Sequence, residues 1–140
     1  GGDYDVIVSK NVLKKGYVHP DRPVDAKHLI QLGVDDATFL RAFHDALAPG
    51  GRVLIYNIFV PVPPDQPFKP MSDGRSPFTR EQWEAAGFRV DAFDQPDTER
   101  LRRVLGRAAA PTEKEYLTYE SLFTVATRSR APRGTGASRE

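Results

Sequence analysis

In the first part of this chain, two short unbroken runs of apolar residues flank a segment whose apolar residues recur at helical spacing. Residues 6–8 and 53–56 are unbroken runs of β-branched, aliphatic or aromatic residues, of the kind found in strands covered on both faces. Between them we predict a helix capped by Asp36, because apolar residues recur there at helical spacing: Phe39, Leu40, Phe43, Ala46 and Leu47. The Pro-Gly-Gly stretch at 49–51 should end that helix. Strand, helix and strand together predict a βαβ unit with parallel strands and a right-handed crossover.

The segment 14–34 is predicted to be a long polar connection, because it contains Gly16, Pro20, Pro23 and Gly33. Within it we expect one short helix, over about 26–32. A connection of this length is unusual for a plain loop.

The second half of the chain begins with a proline-dense loop after Ile58, which cannot be a central strand. Thr79 and Gln82 have the spacing of a capping box, and Phe78 and Trp83 that of a hydrophobic staple, so a helix is predicted over 79–86 with Gly87 as its left-handed end. The remaining predicted elements are a strand at 88–93, a basic helix at 97–105, a strand at 122–127 and a disordered tail at 129–140.

Composition narrows the function classes. The 140 residues include 20 basic and 19 acidic side chains, for a net charge of +1, so no electrostatic attraction to nucleic acid or to a membrane surface is expected. The arginines of the basic helix are interpreted as a solvated face. The absence of cysteine excludes disulfides, zinc-thiolate sites and cysteine nucleophiles. No apolar stretch approaches the ~18 residues of a membrane span, and the expected location is the cytoplasm.

Four segments together resemble the second half of a class I S-adenosylmethionine-dependent methyltransferase. They are "DYDVIVSKNVL", "DDATFLRAFHDALAPGGRVLIYNI", "FTREQWEAAGFRVDAFD" and "SLFTVATRS". The resemblance covers residues 3–128 and implies an α/β fold, a partial doubly wound (Rossmann-like), mostly parallel sheet with an antiparallel last strand. That strand should lie between the second and third strands.

The chain departs from this family in one important respect. It has no G-x-G-x-G turn between a strand and a helix, and no acidic residue ending a following strand, which together hold the cofactor in complete members. We therefore interpret residues 1–128 as the C-terminal half of a methyltransferase-like domain.

The resemblance also implies where ligands would bind. Ligands of open α/β sheets lie beyond the carboxyl ends of the strands, and the family places S-adenosylmethionine beside Ser9, Lys10, Asn11 and Val12. Tyr56 and Asn57, with Tyr17 in the following segment, are the predicted contacts of the acceptor.

The candidate base for the acceptor proton is His19, with Lys14 and Lys10 as further candidates. Lys10 fits better as an electrostatic contact, since a lysine base needs a lowered pKa. Two interpretations of Asn11 stay open, a contact to the cofactor or acceptor and a turn cap. No metal site is predicted, because His19 and His28 lack a defined third ligand.

The leading functional hypothesis is methyl transfer to a small-molecule acceptor, and the alternative is a non-catalytic half-domain that serves as a binding or interaction module. A nicotinamide-dependent doubly wound enzyme is less consistent with an antiparallel last strand. The chain alone is expected neither to bind S-adenosylmethionine nor to catalyse, because the cofactor's anchors are missing. The strand at 6–8 would form an open sheet edge that allows self-association.

Overall fold

Residues 2–130 are described by a computed structural model, in which four strands form one sheet. The strands are Tyr4–Lys10 (β1), Leu47–Phe59 (β2), Phe88–Pro96 (β3) and Glu120–Arg128 (β4). Their order across the sheet is β1-β2-β4-β3. β1 and β2 are parallel, and β4 runs antiparallel to both β2 and β3. This confirms the predicted α/β class and the position of the antiparallel last strand between the second and third.

Four helices connect the strands: Lys15–Val18 (α1), Asp36–Ala46 (α2), Arg80–Ala85 (α3) and Thr98–Ala108 (α4). Single turns of 3₁₀ helix occur at Ala26–His28, Pro70–Ser72 and Glu115–Thr118. Of the tail predicted to be disordered, 129–140, residues 131–140 lie outside the described part of the chain.

The predicted capping box at the start of α3 is present. The Thr79 hydroxyl accepts a bond from the Gln82 amide at 3.1 Å, and the Gln82 side-chain oxygen accepts one from the Thr79 amide at 2.8 Å. Phe78 and Trp83 contact each other edge to face, with ring centroids 5.9 Å apart. Gly87 ends the helix at φ +100°, as predicted.

Several predicted boundaries were wrong. β2 starts at Leu47, which was placed in the helix, because Leu47 takes an extended conformation directly after Ala46. The helix predicted at 26–32 is only the turn Ala26–His28, since Leu29 is extended. The helix α2 is capped by Asp35, whose carboxylate accepts from the Thr38 amide at 2.8 Å, and not by Asp36. The helix α1 was not predicted.

Helices cover both faces of the sheet. On one face, α2 and α3 enclose the core, formed by Leu13, Leu40, Leu47, Val53, Ile55, Phe78, Trp83, Ala86, Phe88 and Ala126. On the other face, α4 packs against β4 through the buried Leu101. The arrangement is doubly wound, as predicted from the sequence.

Candidate functional site

The candidate site lies at the carboxyl ends of β1 and β2, which are neighbours in the sheet. Lys10 is paired with Tyr56 across the two strands, so the predicted cofactor and acceptor residues do meet at one edge. Along a strand, however, successive side chains point to opposite faces. Lys10 and Tyr56 therefore lie on the α4 face, whereas Ser9 and Asn57 lie on the face that α2 and α3 cover.

Asn11 ends β1 in the left-handed conformation, with φ +61°. Its amide donates to the Tyr56 carbonyl at 3.0 Å, and its side-chain oxygen accepts from the Ile58 amide at 2.7 Å. The Asn11 side chain thus replaces a backbone carbonyl in the ladder between β1 and β2. This is the turn-cap interpretation, and asparagine suits it because it tolerates positive φ.

Asn57 is buried at the end of β2 and holds two loops over the strand ends. Its amide nitrogen donates to the carbonyl oxygens of Leu13 at 2.9 Å and Gly74 at 3.1 Å. Its side-chain oxygen has no hydrogen-bond partner among the described residues. The Asn57 nitrogen is engaged within the fold, so only this oxygen has bonding capacity left.

Tyr56 points to the opposite face. Its hydroxyl lies 2.9 Å from an Asp97 carboxylate oxygen and 3.1 Å from the Ser121 hydroxyl. Burial raises the pKa of Tyr56, and the neighbouring Asp97 acts in the same direction. The phenol therefore stays protonated and joins β2 to the start of α4.

Lys14 is a buried lysine directly beyond β1. The residue is only 3% exposed. Its ammonium donates a hydrogen bond to the Met71 carbonyl at 3.3 Å and lies 5.3 Å from the centroid of the Tyr17 ring. Burial lowers the pKa of Lys14. A lowered pKa is the property that a lysine needs in order to act as a base.

The segment after Lys14 packs tightly under the proline-rich loop. A Cβ on Gly16 would lie 1.9 Å from the Pro70 carbonyl oxygen, so only glycine fits in α1 at this point. Beside it, Arg75 pairs with Asp73 and Asp21, at 2.7 Å in each case. These three residues line an open cavity of about 350 Å³, which is also lined by polar residues and by the apolar residues Pro61, Val62, Pro63, Pro64 and Phe68.

His19 is hydrogen-bonded to Asp36 at the start of α2. Its Nε2 atom lies 2.8 and 2.9 Å from the two oxygens of Asp36, and the side-chain amide of Gln82 donates to the same carboxylate at 3.1 Å. The His19 side chain is 45% exposed and borders an open groove whose wall runs from Ile30 to Val34. The contacts through Nε2 fix the orientation of the imidazole, and its Nδ1 atom lies on the side of the ring away from Asp36.

The remaining predicted residues are placed as follows. Lys10 is exposed, Ser9 is half-buried, and Val12 is 49% exposed. Tyr17 accepts from the Ile30 amide at 2.8 Å through its carbonyl, and its ring faces Lys14.

Sequence reasoning missed two acidic residues of this region. Asp36 was interpreted only as a cap, and its pairing with His19 has no local sequence signal because 17 positions separate them. Asp94 ends the regular part of β3 at φ +46° and accepts from the Ser76 amide at 2.8 Å. Burial raises the pKa of Asp94.

Between residues 2 and 130, no group of three or more histidine or acidic side chains is close enough together to hold a metal ion. In the same part of the chain, none of the helices has the length and apolarity that a bilayer crossing requires.

No protein-family model and no curated protein matches the chain. Among solved structures, it is similar to the [4+2]-cyclase SpnF, with 15% identity and a TM-score of 0.45, over 91% of this chain and 50% of that one. It is also similar to a Nostoc punctiforme protein assigned as an O-methyltransferase, with 21% identity and a TM-score of 0.40, over 91% and 32%. A third is a Galdieria sulphuraria protein assigned as a sarcosine dimethylglycine methyltransferase, with 12% identity and a TM-score of 0.43, over 91% and 54%.

The chain thus spans about half or less of the length of these structures. The first of them is named for a cyclisation, and a fold by itself does not define a reaction. The functional argument therefore rests on the topology and on the residues at the strand ends.

Proposed function

We propose that the chain is the C-terminal part of an S-adenosylmethionine-dependent methyltransferase-like domain, and that the complete domain transfers a methyl group to a small-molecule acceptor. The observation that carries this proposal is the sheet itself: an antiparallel β4 between β2 and β3, with polar side chains at the adjoining carboxyl ends of β1 and β2. In open α/β sheets, ligands bind at that edge.

The residues of this chain do not form a complete site for the cofactor. The sequence has no G-x-G-x-G turn, and the side chains of Asn11 and Asn57 already bond to backbone groups of the fold. Ser9, Lys10, Asn11 and Val12 would form the floor of the cleft beside the cofactor. The remaining contacts, to its anionic and ribose parts, would come from residues outside the chain.

The part of the reaction that this chain can supply is the handling of the acceptor's proton. We propose His19 as the general base. If its Nε2 carries the proton that bonds to Asp36, its Nδ1 can accept a proton from the acceptor. Lys14 is the second candidate, since burial lowers its pKa, while Tyr17, Tyr56 and Asn57 are proposed to position the acceptor.

Binding of S-adenosylmethionine tests the proposal directly. Calorimetric titration should detect no binding to the 140-residue chain. It should detect saturable binding to a longer polypeptide that includes the sequence preceding Gly1 in the gene. Binding of micromolar strength to the short chain would show that the cofactor's anchors lie within it. If the longer polypeptide contains a strand followed by a G-x-G-x-G turn and still fails to bind, the methyltransferase proposal is wrong.

The base is tested in the form that turns over. His19→Ala should lower the maximal rate and remove the limb of the pH–rate profile that reports the base, and His28→Ala, in an exposed turn, should change neither. Lys14→Met then shows whether the buried lysine contributes. An unchanged maximal rate and pH–rate profile in the His19 variant would show that His19 is not the base and has only a structural role in its pairing with Asp36.

One observation favours the non-catalytic alternative. Asn11 and Asn57 act as structural bridges. If the gene has no cofactor-binding turn upstream, the chain is better described as a binding or interaction module. The upstream sequence and the titration distinguish the two functions.

A further inference from the structure

The two helices that enclose the core both begin at the sheet edge where ligands would bind. α2 connects the parallel strands β1 and β2, and α3 connects β2 to β3, which are parallel because both run antiparallel to β4. A helix that connects two parallel strands runs back along the sheet, so its first turn lies beside the carboxyl ends of the strands. Asp36 and Gln82 belong to these first turns.

Asp36 and Gln82 orient His19 through a chain of hydrogen bonds. The Gln82 side-chain nitrogen donates to Asp36 at 3.1 Å, and the two Asp36 oxygens lie 2.8 and 2.9 Å from the His19 Nε2 atom. Gln82 is itself fixed, because its side-chain oxygen accepts from the Thr79 amide at 2.8 Å. The cap of α2 is provided by Asp35. The Asp36 carboxylate is therefore available to hold His19, and Nδ1 is the ring nitrogen left for a ligand.

The groove beside His19 is mainly apolar. It has a volume of about 320 Å³, and its aliphatic wall consists of Val18, Ile30, Leu32 and Val34. Val18 and Leu32 also pack against the core, and the Ile30 amide donates to the Tyr17 carbonyl at 2.8 Å, so the wall is held in place. Ligand pockets start at about 300 Å³. The groove therefore suits a small molecule with one ring.

The charges of the groove favour a neutral ligand. Among the described residues that line it, only His19 and Asp36 are ionisable. A carboxylate would meet no lysine or arginine there, and an ammonium would meet an Asp36 that is already bonded to His19 and Gln82. Removing an unpaired charge from water is unfavourable. A neutral molecule with one hydroxyl fits both parts of the groove, since its hydroxyl can donate to Nδ1 while its body covers the aliphatic wall.

We propose that this groove binds a neutral, single-ring phenol, whose hydroxyl donates to the Nδ1 atom of His19 and whose ring packs against the aliphatic wall. The proposal rests on the proposed role of His19 as the base, and it names the class of acceptor. During the proposed methyl transfer the acceptor oxygen gives its proton to Nδ1. A phenol loses that proton readily, with a pKa of about 10 as in tyrosine, whereas an alkyl hydroxyl resembles water, at about 16.

Binding of para-cresol to the 140-residue chain, with no cofactor present, tests the groove. In NMR titrations of the isotopically labelled chain, saturable shifts are expected in the His19 ring and in the methyl groups of the aliphatic wall. The methyl ether of para-cresol has the same ring but no O–H group. It should bind about fivefold more weakly, which is ~1 kcal/mol at about 1.4 kcal/mol per tenfold and the size of one neutral hydrogen bond.

Two pairs of variants separate the hydroxyl contact from the apolar wall. His19→Phe keeps a ring but removes Nδ1, so the preference for cresol over its ether should disappear, whereas His28→Phe, in an exposed turn, should retain it. Val34→Asn should weaken the binding of both ligands at least about twofold. Val104→Asn is its control and should weaken neither, since Val104 on α4 is 54% exposed and Val34 is 51% exposed. Circular dichroism checks that each variant is folded.

Saturable shifts at the groove, with a preference for cresol that depends on His19, would support the proposal. Three results on the wild-type chain would overturn it: no saturable shift at the groove, equal binding of cresol and its ether, or tighter binding of benzoate than of cresol. Because the titration contains no S-adenosylmethionine, such a result would leave methyl transfer to a different acceptor standing. Failure of the longer polypeptide to bind the cofactor would instead refute methyl transfer and leave the groove as a phenol-binding site.

Discussion

The region under α3 and the strand β1 differ sharply in how far their apolar side chains are buried. Trp83 lies edge to face against Phe78 and Phe88, with centroids 5.9 and 5.1 Å away, and all three rings are at most 3% exposed. On β1, Val6 and Val8 are more than half exposed. Helix α3 packs on β3 and α4 packs on β4, whereas β1 meets the core through Ile7 and leaves Val6 and Val8 exposed.

This difference indicates that the residues that stabilise the fold and the candidate functional residues lie in different parts of the molecule. The aromatic region buries large side chains and should provide much of the folding free energy. The candidate functional groups, including Lys14, Asn57 and His19, lie along the boundary between this region and the uncovered strand. The proposed ligand cleft would therefore lie between a tightly packed region and an exposed strand.

Truncating the centre of the aromatic region should have the largest effect. Trp83→Ala should lower the free energy of unfolding by about 3–5 kcal/mol, because it leaves a large cavity between Phe78 and Phe88. Val8→Ala, at an exposed position of β1, should change it by less than ~0.5 kcal/mol. Urea unfolding followed by circular dichroism at low protein concentration measures both. Equal losses would contradict the assignment of the stability to the α3 side.

Asn57 lies where the two regions meet, and its loss should have the next largest effect. Asn57→Ala would leave the carbonyls of Leu13 and Gly74 without their donor, at a cost of about 2 kcal/mol. Gln66→Ala, in the exposed proline-rich loop, is the control and should be nearly neutral. If thermal unfolding shows no loss in the Asn57 variant, the bridge between the two loops does not contribute to stability.

Much of the fold followed from local patterns in the sequence. The capping box at Thr79, the left-handed Gly87 and the helical stripe after Asp36 each depend on neighbours a few residues apart, so their signals are present in short segments. The antiparallel last strand came from the order of segments and the family resemblance. The short helix α1 was missed because a tertiary contact decides it: Gly16 fits against Pro70, 54 positions further along.

The site was less predictable for the same physical reason. The sequence correctly predicted which residues lie toward the ends of β1 and β2: Lys10, Asn11, Tyr56 and Asn57. It did not reveal that successive side chains point to opposite faces of the sheet, which are covered by different helices. The hydrogen-bond partners of His19 and Asn57 are distant in sequence: Asp36 in α2 for His19, and loop carbonyls for Asn57. Side-chain burial, which makes Lys14 interesting, depends on how the proline-rich loop folds back.

The buried Lys14 predicts a pH dependence. Because its pKa is lowered on folding from the ordinary 10.5, the unfolded chain binds more protons than the native chain at pH values between the two, and stability should rise with pH in that window. Lys14→Met should remove this rise, whereas Lys10→Met should retain it because Lys14 is still present. Urea midpoints at several pH values below 10.5 measure the slope. The same slope in wild type and Lys14→Met would show that another group causes it.

Asp94 should give the smallest change, and its sign is opposite to that usual for aspartates. Burial raises its pKa above the ordinary 3.8, so the native chain holds its proton more tightly and stability falls as pH rises through the native pKa. Asp94→Asn removes the buried charge, keeps an oxygen for the Ser76 amide and tolerates φ +46°. The variant should be slightly more stable than wild type at pH 7, and this advantage should shrink as pH falls toward 3.8.

Asp91→Asn is the matched control on the same strand. Although desolvation raises the pKa of Asp91, hydrogen bonds from Thr127 and Arg89 outweigh it, so the pKa is lowered and the ionised carboxylate stabilises the native chain at neutral pH. Asp91→Asn should therefore be less stable than wild type at pH 7. Urea unfolding of the two variants at pH 7 and near pH 4 tests the pair. Destabilisation by Asp94→Asn at pH 7 would mean that the Asp94 charge is compensated within the fold, since only an uncompensated buried carboxylate gains from neutralisation.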